Sequence, residues 1–102
     1  MIDLLSKRLE EVRALCRRHR LRRLDLFGSA ATGRFDPASS DLDFIVEFED
    51  EDPVARADAF FGLLADLEDL FERRIDLVVE SAVTNPYLRD EIDETRQPLF
   101  AA

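Results

Sequence analysis

Asp41-Leu42-Asp43-Phe44-Ile45-Val46-Glu47-Phe48 alternates strictly, with Leu42, Phe44, Val46 and Phe48 on one side, and so reads as a strand with an apolar face. Asp41 and Asp43 then share the other face, about 7 Å apart. Two hard oxygen donors on one rigid strand can bracket a magnesium ion that keeps its remaining positions for water and phosphate. Upstream, Arg22-Arg23-Leu24-Asp25-Leu26-Phe27 reads as another strand, ended by Gly28-Ser29. Gly28 permits a sharp turn and a close backbone approach, and Ser29 stands where a short helix could begin, so hydroxyl and amides there suit an anion. Gly33 and Asp36-Pro37 end that helix in a loop.

Downstream, Arg74-Ile75-Asp76-Leu77-Val78-Val79 is a third apolar strand with one charge in its interior, Asp76, on the face opposite Ile75, Leu77 and Val79. An aspartate there is either an edge-strand solubility device or a third carboxylate at the site. The neighbouring pair favours the second reading, as ligand or as general base toward an attacking hydroxyl.

Leu26-Phe27-Gly28-Ser29-Ala30-Ala31-Thr32-Gly33, Ser40-Asp41-Leu42-Asp43-Phe44 and Arg74-Ile75-Asp76-Leu77 together resemble the polymerase-beta-like nucleotidyltransferase superfamily. A chain this short resembles its minimal nucleotidyltransferase members, many of which are the antitoxin half of HEPN/MNT toxin–antitoxin pairs. The resemblance implies that Asp41, Asp43 and Asp76 are the catalytic and metal-binding carboxylates, with two Mg2+ ions, and that Gly28, Ser29 and Ser40 hold the nucleotide. It further implies transfer of a nucleoside monophosphate, AMP from ATP, to a hydroxyl of a HEPN-type toxin, with pyrophosphate leaving. A non-catalytic binding antitoxin and a nucleotidyltransferase acting on a small molecule are the alternatives. The eleven residues between Ser29 and Asp41 exceed the family's common spacing, and Ala30-Ala31-Thr32 stands where arginines are frequent. Arg34 is the nearest cation in the chain to replace them.

Residues 1–102 read as a single domain, too short to add acceptor-binding domains, so a macromolecular acceptor has to come from a partner. A hydrophobic content of 46% with eight Phe suits a packed globule. No stretch approaches the roughly 20 apolar residues of a membrane span, and no signal peptide is visible. The lone cysteine, Cys16, rules out an internal disulfide and points to the reducing cytoplasm. A net charge of −9 argues against DNA as a partner. Arg17-Arg18-His19-Arg20 with Arg22-Arg23 reads as the cationic end of the first helix, with RNA phosphate as the competing reading. Glu47 to Asp52 reads as a solvated acidic run, with a basic protein partner as its alternative.

Ile2, Leu5, Leu9, Val12, Cys16 and His19 predict one amphipathic helix over 2–20, with Cys16 and His19 as packing residues. Asp52-Pro53 starts a helix carrying Ala57, Phe60, Phe61, Leu64, Leu67 and Phe71, and Asn85-Pro86 starts a last one through about Thr95 that Pro98 ends. Leu99-Phe100-Ala101-Ala102 is an apolar end suited to docking on the body or on a partner. The expected fold class is α/β (α+β), the nucleotidyltransferase fold: a small mixed sheet with helices on one face and the three aspartates on the other.

Overall fold

The predicted strands form around one sheet, and a computed structural model describes them together with every other residue from Met1 to Ala102. The strands are β1 (Leu21–Phe27), β2 (Leu42–Phe48), β3 (Ile75–Val79) and β4 (Gln97–Ala101), in the order β3-β2-β1-β4. β1 is antiparallel to both β2 and β4, whereas β2 and β3 are parallel. A parallel pair needs a crossover. It is supplied by the helix between them, which we number with the others: α1 (Asp3–Ser6), α2 (Leu9–Arg18), α3 (Ser29–Thr32), α4 (Pro53–Phe71) and α5 (Pro86–Thr95), α4 being the crossover.

Alternation along the strands sorts the side chains as expected. Leu24 and Leu26 of β1, Leu42, Phe44, Val46 and Phe48 of β2, and Ile75 of β3 form one core with Leu5, Val12 and Cys16 from α1 and α2 and with Leu63, Leu67 and Phe71 from α4. The opposite face is mixed. Phe27 and Ile45 pack there with Ile92 and Leu88 of α5 and with Val78, so a helix covers part of this face as well. Both proline-started helices are capped as the sequence predicts: Asp52 accepts from the Ala55 N–H, and Asn85 accepts from the N–H groups of Tyr87 and Leu88.

Two elements differ from expectation. The single helix over 2–20 is broken at Lys7–Arg8. The Arg8 N–H reaches only to Leu5 O, at 3.1 Å, a tightened turn that ends α1 and lets α2 set off so that Leu5, Val12 and Cys16 all reach the core. The C-terminal tail is a strand: Leu24 pairs with Phe100 and Leu26 with Gln97, and Leu99 is buried. Pro98 is tolerated because β4 is an edge strand, where no ladder donor is needed on the outer side.

Cys16 and His19 are packing residues. Burial pushes the Cys16 thiol up to about 12. His19 Nε2 lies 2.6 Å from Asp66 Oδ2, and its ring occupies the space a side chain at position 62 would need, so Gly62 lets α2 and α4 meet. No helix is long and apolar enough to cross a membrane.

Candidate active site

The site grows from the register of two parallel strands. Asp43 on β2 stands beside Asp76 on β3, and on its other side Asp43 is paired with Phe27 at the end of β1. This places the turn at Gly28 against the Asp43 carboxylate. Gly28 has φ +73°, a backbone conformation that side chains disfavour, and a Cβ there would fall 2.5 Å from Asp43 Oδ2. The glycine is required by a carboxylate as well as by the turn.

Asp43 is the most perturbed carboxylate of the chain, raised to about 7. Burial is the largest cause, followed by the charge and hydrogen-bonding reach of Asp76 and then by the charges of Asp41 and Glu91. Asp41 lies just before β2 and is half-buried, and its Oδ2 is 3.8 Å from Arg74 Nε. Asp76 is exposed on the edge strand. Carboxylates this close repel one another, so the place is electrostatically suited to a cation, and its donors are hard oxygens of the kind magnesium prefers. In this structure the side chains are not drawn into a closed ligand set, since no group of three His, Cys, Asp or Glu is arranged to hold a metal ion.

The remaining predicted residues take distinct places. Ser29 opens α3, which is only four residues long. The Gly28 N–H is already used, donating to Thr95 Oγ1 at 3.0 Å. Ser40 braces the loop before β2, its hydroxyl accepting the Asp36 N–H at 3.0 Å. Arg73 clamps the same loop through the carbonyls of Pro37 and Ser40, with its guanidinium 5.1 Å over the Phe35 ring. The long spacing between Ser29 and Asp41 is therefore folded into a tied loop. Arg34 is exposed, with its Nε donating to the Thr32 hydroxyl.

Sequence reasoning passed over two α5 residues on this face, Glu91 and Thr95. Their spacing from Leu88 and Ile92 would have placed them on the helix face turned toward the sheet. It also passed over Asp25, fully buried on β1 and bonded by Arg23 and by Arg96, whose Nε lies 2.7 Å away. The surface clefts lie elsewhere. One of about 300 Å³, beside Arg18, His19, Arg20 and Arg56, has none of the three aspartates in its wall. The aspartates look out on an open sheet face.

Comparison with known proteins places the chain in a family. A family model described as "Nucleotidyltransferase domain" matches residues 9–99. Two Methanocaldococcus jannaschii proteins, each provisionally named a protein adenylyltransferase, are 30% identical over 96 residues, covering 86% of this chain and 94% of theirs. A solved structure provisionally described as a minimal nucleotidyltransferase superposes with a TM-score of 0.69 at 35% identity, covering 95% of this chain and 96% of that one. A toxin–antitoxin structure with AMP-PNP gives a TM-score of 0.68 at 23% identity, covering 92% and 73% of the two chains. A Shewanella oneidensis complex of a tri-AMPylated HEPN toxin with an MNT antitoxin gives 0.64 at 21%, covering 95% and 72%. These last two likenesses speak to the fold. The glycine turn, the carboxylates it abuts and a family match over nearly the whole chain lead to one assignment: this chain belongs to the nucleotidyltransferase domain family.

Proposed function

We propose that the chain transfers AMP from ATP to a hydroxyl on a protein partner, and that the partner is a HEPN-type toxin for which it acts as antitoxin. The observation that carries this reading is the juxtaposition of Asp43 with Asp76 in register across β2 and β3, beside the Gly28 turn. The names of the archaeal relatives and the toxin–antitoxin complexes among the structural neighbours support it. So does the open sheet face, because a chain with no acceptor cleft at its aspartates suits an acceptor delivered by another molecule.

In this proposal Asp41 and Asp43 hold Mg2+, two ions in all with Asp76 as the third carboxylate. When bound, the metal would supply charge neutralisation for the triphosphate and a lowered pKa for the acceptor hydroxyl. Asp76, exposed and adjacent, takes the proton of that hydroxyl. Ser29, at the start of α3, receives the phosphates, Gly28 supplying the turn that presents it, and Ser40 contributes by holding the loop that leads into Asp41. The docked partner brings its hydroxyl into line with the α-phosphate, where positioning supplies much of the rate. The new P–O bond forms to the acceptor oxygen as the bond to pyrophosphate breaks.

The test uses ATP labelled at the α-phosphate, with magnesium. The chain alone should transfer little, and adding the partner should place label covalently on it. Asp43→Asn should lose the label while keeping the complex. If wild type and Asp43→Asn silence the partner equally and neither transfers label, the chain is a binding antitoxin and the proposal fails.

A further inference from the structure

The last turn of α5 meets the site through one hydroxyl. Leu88, Glu91, Ile92 and Thr95 lie along one face of this helix. Leu88 and Ile92 pack against the sheet, while Thr95 Oγ1 accepts the Gly28 N–H at 3.0 Å and donates to the Glu91 carbonyl at 2.7 Å. Gly28 is buried, so its N–H has few alternatives to this acceptor. Its Cα in turn abuts the Asp43 carboxylate, close enough that an added Cβ would collide with Oδ2.

The helix end that presents Thr95 is firmly held. Arg96, the next residue, bonds Asp25 through Nε at 2.7 Å and Glu80 through Nη1 at 3.1 Å. Burial works against the Arg96 charge, yet the bonds to Glu80 and Asp25 and the charges of both outweigh it and raise its pKa. Asn85 caps the other end of α5. A hydroxyl presented from so anchored a helix can set the position of the flexible glycine peptide.

We propose that Thr95 is a positioning residue of the transfer site: its hydroxyl fixes the Gly28 peptide and thereby the place of the Asp43 carboxylate beside it. The proposal rests on the transfer reading above for its functional meaning. Thr95→Val removes the acceptor with almost no change of shape, and the Gly28 N–H is left buried without a partner. Thr95→Ser keeps the hydroxyl.

The experiment has two arms on the full chain. In the first, amide hydrogen exchange is followed without nucleotide in the wild type, Thr95→Ser and Thr95→Val. Gly28 should be protected in the first two and should lose protection selectively in the third. Rapid Gly28 exchange in the wild type, a result independent of whether any variant folds, overturns the proposal. In the second arm, titration calorimetry with magnesium and ATP should show affinity weakened at least about tenfold in Thr95→Val and held within about twofold in Thr95→Ser, the scale on which loss of a residue that orients a metal-holding carboxylate weakens binding. Lost protection with unchanged affinity reduces Thr95 to a structural role and overturns its positioning one. A wild type that binds no magnesium–ATP at all, with the exchange pattern as expected, counts against the transfer reading instead.

Discussion

Gly28 concentrates three demands at one residue. It turns the chain out of β1, leaves space for the Asp43 carboxylate and gives its N–H to Thr95. Gly28→Ala imposes a side chain on a positive-φ backbone and drives its methyl into Asp43 Oδ2. We expect it to cost about 1–3 kcal/mol in urea unfolding and to abolish nucleotide transfer. An alanine variant of wild-type stability would show that the turn relaxes freely. The need for a glycine here was legible in the sequence, because a strand running into Gly-Ser announces a turn. Its closest neighbour was not, since Asp43 lies fifteen positions away and only the antiparallel pairing of Phe27 with Asp43 makes them touch.

Among the elements, α5 is held by charge as much as by packing. Asp25 is fully buried and depends on Arg23 and Arg96, and Arg96 also joins Glu80, which Arg89 contacts in turn. Arg96→Met leaves Asp25 with one partner, Arg23, and we expect a loss of about 1–3 kcal/mol, the range for removing one hydrogen-bond partner of a buried group. Asp25→Asn added to it should recover part of that loss, read as a coupling energy in a double-mutant cycle. Additive losses would mean that the pair contributes nothing specific. The caps at Asp52 and Asn85 were plain from local sequence because capping needs only neighbours. The Asp25–Arg96 pair joins residues 71 apart in the chain, and nothing local to either names the other. The break between α1 and α2 was hidden for a related reason, since the apolar spacing continues across Lys7–Arg8 while the backbone does not.

Across the whole molecule, the carboxyl-terminal strand completes a sheet that the sequence pattern had closed one strand early. Five residues with a proline among them carry too weak an alternation to read as β, yet β4 covers the free side of β1 and buries Leu99. A buried leucine is worth about 2–5 kcal/mol, a large share of the about 5–15 kcal/mol that holds a domain together. Removing residues 97–102 should therefore abolish the cooperative thermal transition followed by circular dichroism. A sharp melt in the shortened chain would show β4 to be an accessory. At the other border of the sheet stands β3, with Asp76 exposed upon it. A bare sheet border invites foreign strands, and a charge there discourages them. Solubility device and reactive group, first weighed as rivals, are compatible at position 76: in the proposed transfer the border stays uncovered so that an acceptor can arrive, and the same carboxylate proposed to deprotonate that acceptor keeps stray chains from filling the vacancy.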